Sequence, residues 1–162
     1  MIYFPLRINI LFFFKIVIFY LCYFSINIAK AEENKIVKYQ SIKFDKANLR
    51  VGPGKRYPID WVLIRKNLPV AIIDKLDNFR KVQLYDGTTG WLHQSQLSNN
   101  KTGIITTETY LKDKQGRKKA KVLKGVIVKI KKCSTIENKY WCTVEVKNVS
   151  GIILQDHMWG SK

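Results

Sequence analysis

Acidic side chains are scarce. The chain of 162 residues holds 12 Asp and Glu against 29 Lys and Arg, and no acidic residue precedes Glu32. Histidine is scarcer still: His93 and His157 stand alone, far from zinc-finger spacing, so the satisfied structural histidine is the reading preferred over a metal ligand. No segment of the chain beyond residue 46 sustains a 3.6-residue apolar period, which excludes a helical domain there. No apolar run reaches the roughly 20 residues of a membrane span, because Lys15 divides residues 8–14 from 16–28. Phosphate loops, paired carboxylates and Ser/His/Asp arrangements are also missing. The chain is therefore read as having no catalytic centre, no metal and no cofactor.

What is present begins with a leader. Arg7 and Lys15 make its start positive, Ile16–Ile28 is a 13-residue apolar run, and Ala29-Lys30-Ala31 has the small-x-small pattern of a cleavage site. Residues 1–31 are read as a cleaved signal peptide, with an uncut anchor as the alternative, and the protein as exported to the periplasm or cell envelope. Removing 31 of 162 residues leaves 131, with 26 basic and 12 acidic side chains and a net charge of +14. Cys22 leaves with the leader. Cys133 and Cys142 remain, and an even pair in an oxidising compartment predicts a disulfide. Simple alternation sets Cys133 on the face opposite Val126, Val128 and Ile130, while Cys142 shares a face with Val144 and Val146. Pairing therefore demands a bulge or an irregular hairpin end.

Residues 32–46 read as a polar lead-in. From Ala47 onward the signals are short strands and turns: Asn48–Val51, the breaker Gly52-Pro53-Gly54, Trp61–Ile64, Val70–Ile73, Phe79–Leu84, the turn Asp86-Gly87, and Gly90–His93. The second half echoes the first. Phe79-x-x-Val82-x-Leu84 answers Trp141-x-x-Val144-x-Val146, Gly90-Trp91-Leu92 answers Gly151-Ile152-Ile153, Gln94 answers Gln155, and Pro69-Val70 lines up with Gly125-Val126. Two copies of one small barrel is the economical reading, at residues 47–100 and 104–160, with a polar linker between them.

Ala47-Asn48-Leu49-Arg50-Val51-Gly52-Pro53-Gly54, Tyr57-Pro58-Ile59 and the stretch from Asp86-Gly87 through Gly90-Trp91-Leu92-His93 to Leu97 resemble the bacterial Src-homology-3-like domain family. The second copy departs from the pattern: Leu111-Lys112 replaces Leu49-Arg50, the Gly-Pro-Gly is missing, and Ile152 replaces Trp91. The resemblance implies an all-β fold of two tandem small Src-homology-3-like barrels, the second degenerate. It also implies a binding module of exported or wall-associated proteins, with peptidoglycan or a peptide as partner.

The candidate ligand-binding residues are Arg50, Pro53, Tyr57, Trp61, Trp91 and His93. A guanidinium beside a fixed turn can hold a carboxylate, although Arg50 can equally bridge strands. Aromatic rings suit peptide grooves or sugar faces, although Trp91 can equally fill a barrel core. A second candidate is a basic surface at Lys112, Arg117, Lys118, Lys119 and Lys121. Lysine supplies 23 of the 29 basic residues, which favours diffuse attraction to an acidic protein or anionic envelope surface over nucleic acid, and a basic scaffold is the alternative function. A Cys/His hydrolase requires a free thiol beside a base, and no helix-bearing segment supplies that setting. A monomer is expected.

Overall fold

The computed structural model describes residues 38–161; the leader read over residues 1–31 lies outside the described residues. The first repeat consists of β1 (Lys38–Ile42), β2 (Ala47–Arg50), β3 (Ile59–Leu63), β4 (Pro69–Leu76), β5 (Phe79–Gln83), β6 (Thr89–His93) and β7 (Leu97–Ser98). The second consists of β8 (Thr102–Ile105), β9 (Thr109–Lys112), β10 (Lys118–Val122), β11 (Ile127–Ile136), β12 (Lys139–Val146), β13 (Val149–Leu154) and β14 (Met158–Trp159). The first sheet runs β3-β2-β6-β5-β4-β1-β7, and the second runs β10-β9-β13-β12-β11-β8-β14. Each strand of one repeat has its counterpart at the same place in the other, and every pairing is antiparallel. A single 3-10 turn precedes the last strand of each, Gln94–Gln96 and Gln155–His157. The all-β, two-sheet architecture matches the one expected from the sequence.

The register ties the echo to geometry. Val82 pairs with Gly90, and Val144 with Gly151. Arg50 pairs with Trp91, and Lys112 with Ile152. The alignment of Pro69-Val70 with Gly125-Val126 is off by two. Asn67 and Gly125 are the true counterparts: both have positive φ (63° and 83°), and each donates its N–H to an equivalent isoleucine carbonyl, Ile42 and Ile105. Glycine and asparagine are the residues that tolerate that left-handed backbone, so local conformation matched them where hydropathy did not.

The segment read as a lead-in is also corrected. Its Lys38–Ile42 stretch is β1, paired with both β4 and β7, and Ile42 is wholly buried. Its buried end joins the polar Ser41 to Ile42, and the other three residues are Lys38, Tyr39 and Gln40, so its polar residues masked it.

Aliphatic side chains fill both cores. The first gathers Leu49, Val70, Ile72, Val82 and Leu92, and the second Leu111, Val128, Ile130, Val144 and Ile153. Each such burial is worth about 2 kcal/mol. None of the aromatic residues Tyr57, Trp61, Tyr85 or Trp91 enters the first core.

Differences between the repeats lie in the connections. The eight residues between Arg50 and Ile59 shrink to five between Lys112 and Lys118, which is where the Gly-Pro-Gly is lost. The shorter loop is an Asx turn in which the Asp113 carboxylate accepts the N–H groups of Gln115 and Arg117, each at 2.9 Å. The β11–β12 hairpin, in contrast, is longer. Leu76 faces Phe79 at the first hairpin's end, whereas the matching pair Ser134 and Trp141 is followed by Thr135–Tyr140 and Ile136–Lys139. Its turn residues Glu137 and Asn138 have φ of 48° and 58°, the positive pair of a type I′ turn.

The bulge demanded by the cysteines is present. Ile130 pairs with Val144 and Lys132 with Thr143, so Lys131 is the extra residue, and Cys133 then lies directly opposite Cys142. Their sulfurs are bonded, with the Cα atoms 4.0 Å apart. The first repeat has its bulge at the matching place, Ile73.

Candidate functional site

Strand alternation sorts the candidates in the first repeat. Gly90 and Leu92 of β6 point inward, so Trp91 and His93 share the outer face. Arg50 sits opposite Trp91 across β2–β6 and leaves on that same face. The outer face thus carries Arg50, Trp91 and His93 in neighbouring positions.

Two of these side chains are held in place. Arg50 donates through Nη1 to the Tyr57 carbonyl at 2.6 Å, which ties β2 to the loop that follows it. His93 stacks edge-on against Phe79, with centroids 5.2 Å apart, and its Nδ1 lies 2.7 Å from the Ser95 hydroxyl. Arg50 thus ties its strand to a loop and not to a second strand, and its single bond to Tyr57 leaves most of a five-donor guanidinium uncommitted.

The loop's shape follows from its glycines. A Cβ on Gly52 would lie 2.4 Å from the Tyr57 ring, so the ring lies flat against a position only glycine can occupy. Pro53 is half-buried at the turn, and the Arg56 guanidinium stands 5.4 Å from the Tyr57 centroid. Trp61, on the edge strand β3, is 60% exposed and flanked by exposed Ile59, Val62 and Ile64. Arg50, Pro53, Tyr57 and Trp91 gather around one loop and face; Trp61 lies at the sheet edge and His93 at the far end of β6.

The basic candidates are more engaged than their sequence suggests. Lys121 pairs with Glu108 and Arg117 with Asp113, each at 2.7 Å. Lys119 donates to the Ser150 carbonyl at 2.7 Å. Lys118 and Lys112 stand over the Tyr110 and Trp141 rings at 4.4 and 5.6 Å. The bond from Glu108, reinforced by its charge, raises the Lys121 pKa above its usual value. Desolvation would raise the Asp113 carboxyl, but hydrogen bonds from the Arg117 side chain and backbone, its charge and the Gln115 N–H together lower it. Lys131 likewise holds Glu145 below the usual range through a hydrogen bond and its charge.

Sequence reasoning missed Trp141. It occupies the Phe79 position of the second repeat and, with Ile152 and Lys112, lines a shallow cavity of about 350 Å³. It also missed the contacts between the repeats. Thr102 donates through Oγ1 to the Asn67 carbonyl at 2.8 Å, Arg65 donates to the Gly125 carbonyl at 2.6 Å, and the Tyr39 and Trp159 rings meet edge-to-face at 5.1 Å. Burial raises the Tyr39 hydroxyl pKa. No sequence signal marks such pairs, because their partners lie 35 to 120 positions apart.

Cys133 and Cys142 are consumed by their disulfide, so neither offers a nucleophilic thiol. Among the described residues, no three His, Cys, Asp or Glu side chains come together as a metal site, and no helix is long and apolar enough to cross a membrane.

Known proteins give three findings. The family model described as "Bacterial SH3 domain" matches residues 43–99. The fold is similar to solved structures of NlpC1 and NlpC2 from Trichomonas vaginalis, at 14% and 12% identity and a TM-score of 0.36 for each. These matches cover 80% and 79% of this chain but 48% and 49% of theirs, so the chain spans about half the length of either. No curated protein matches it. With the sheet order, the register and the loop glycines in place, the first repeat is a bacterial SH3 domain.

Proposed function

We propose that the protein is a non-enzymatic binding module of the cell envelope, and that its first repeat recognises a peptide or peptidoglycan fragment on the face built from Arg50, Tyr57 and Trp91. One observation carries this reading: the buried residues of the first core are all aliphatic, with Trp159 of the second repeat packed against them, while Tyr57 and Trp91 stay outside it beside Arg50 and Trp61 lies exposed at the sheet edge. Large rings that fold stability does not need are the usual material of a recognition surface. Arg50, fixed by one bond to the Tyr57 carbonyl, supplies fork-shaped donors for a carboxylate. The Cys133–Cys142 disulfide supports an oxidising, extracytoplasmic location.

Binding to purified wall sacculi at moderate salt tests the proposal. The wild-type protein is expected to sediment with sacculi, and Arg50→Ala and Trp91→Ala to lose most of that retention while keeping a native melting temperature. Retention no greater than that of a denatured control overturns it. The scaffold alternative draws less support, because Lys112, Arg117, Lys118, Lys119 and Lys121 each have a partner within the chain.

A further inference from the structure

We propose that the cleft where the two repeats meet binds an oligosaccharide carrying carboxylates. This site is separate from the Arg50 face and does not rest on the function proposed for it.

The cleft has a volume of about 780 Å³, within the range of roughly 300–1,000 Å³ typical of small-ligand sites. Three aromatic side chains shape it. Tyr39 comes from β1 of the first repeat, Trp159 from β14 of the second, and Tyr140 from the extra length of the β11–β12 hairpin. Tyr39 and Trp159 brace each other edge-to-face, which fixes both rings. Tyr140 is 60% exposed although it is a large ring. The hairpin extension that carries it has no counterpart in the first repeat, and the Cys133–Cys142 bond closes its base. The second repeat thus adds four residues and a disulfide to build one wall of this cleft.

Polar groups stand between the rings. Ser134, Thr135 and Asp156 line the cleft, as does Gln155, whose Nε2 is committed to the Ser161 carbonyl at 3.0 Å and whose Oε1 is left as an acceptor. Flat rings interleaved with hydroxyl, carboxylate and amide groups match a pyranose, which offers C–H faces for stacking and hydroxyls for hydrogen bonds. A peptide strand is a poorer fit. An added strand would pair along β11 beyond Lys129, where its partner β8 ends, and would leave the rings and Asp156 of the other wall without a stacking or hydroxyl partner.

Charge specifies the sugar further. A second hollow of about 250 Å³ shares Tyr39, Cys133, Gly160 and Ser161 with the cleft and continues it. It is lined by Lys101, Lys131 and Lys132. Lys131 is neutralised by Glu145 at 2.6 Å, which leaves Lys101 and Lys132 as the cations facing a ligand. Asp156 lies at the aromatic end and the lysines at the other. An acidic sugar would therefore lie with neutral hydroxyls toward Asp156 and its carboxylates toward Lys101 and Lys132.

Calorimetric titration of the oxidised, leader-free secreted protein tests this with three tetrasaccharides. One alternates N-acetylglucosamine with N-acetylmuramic acid, one is tetragalacturonate, and one is chitotetraose, which has no carboxylate. At least one acidic tetrasaccharide is expected to bind, at least tenfold more tightly than chitotetraose, and which of them does so identifies whether a lactyl ether acid or a uronate is the source. Tyr140→Ala and Lys132→Gln, both at exposed positions, should each weaken that binding at least fivefold, whereas Lys75→Gln, at an exposed position of β4 outside the cleft, should leave it unchanged. The absence of binding by both acidic sugars overturns the proposal, as does equal affinity for chitotetraose. Loss on Arg50→Ala with no effect of Tyr140→Ala overturns it too, by moving the site to the other face.

Discussion

Ile104 and Ile105 are neighbours in β8, yet their side chains enter different cores: Ile104 packs with Leu49 and Val70 of the first repeat, and Ile105 with Leu111 and Val128 of the second. Successive strand residues point to opposite faces, so a single strand can belong to two hydrophobic clusters at once. The second sheet's first strand thereby completes the first sheet's core.

This sharing makes folding of the repeats interdependent. Ile104→Ala is expected to cost about 2–5 kcal/mol, the usual range for emptying a filled core position, and to do so in a single transition that melts both repeats. A stretch ending at Asn100 should be far less stable than the same residues in the whole chain. Two separate calorimetric transitions in the wild-type protein would contradict the shared core.

Gly90 and Gly151 test the equivalence of the repeats. A Cβ on Gly90 would lie 2.6 Å from Cγ of Leu49, and one on Gly151 would lie 2.7 Å from Cβ of Leu111. Gly90→Ala and Gly151→Ala should each destabilise by about 1–3 kcal/mol through overpacking. The first should cost less in a Leu49→Ala background, where the obstructing branch is gone, and a double-mutant cycle on thermal melts measures that difference.

Reduction of the disulfide should be felt locally and globally. Releasing the ten-residue loop is worth about 2.7 kcal/mol in the chain-entropy account. That corresponds to a fall of roughly 10 °C in melting temperature for a chain of this size. Alkylation of the unreduced protein should label neither Cys133 nor Cys142, and double labelling without reductant would contradict the bridge.

Much of this was legible in the sequence, for reasons that differ element by element. Strands and turns showed because Gly52-Pro53-Gly54 and Asp86-Gly87 punctuate the chain, and the repeat showed because Val82 and Gly90 have the same pairing geometry as Val144 and Gly151. The cysteine alternation also called for a bulge or an irregular hairpin end, and the bulge lies at Lys131. The lead-in was misread because β1 shows a single large apolar residue to the core, Ile42, at its very end. The place of Trp91 outside the core was not legible, since tryptophan suits either side, and only the burial of Gly90 and Leu92 decides it. The cleft was invisible because it joins Tyr39 to Trp159 across nearly the whole described chain.

Acid should weaken the β9–β10 turn in a defined direction. The folded Asp113 pKa lies below its ordinary value. Its contribution to stability is therefore complete above that ordinary value and is lost as pH falls through the depressed one. Asp113→Asn keeps an acceptor for the Gln115 and Arg117 N–H groups but has no charge for the Arg117 side chain. The melting temperature of wild type should exceed that of the variant at neutral pH, and the gap should close on acidification. A gap that widens in acid would contradict the assigned direction.

The central claim is that the outer face around Arg50 and Trp91 recognises a wall-derived ligand. Backbone and indole chemical shifts followed during titration with a soluble muropeptide test it most directly. The account predicts saturable shifts clustered at Arg50, Tyr57 and Trp91, lost in Arg50→Ala. An unchanged spectrum, or shifts confined to β4 and β5 away from that face, would contradict it.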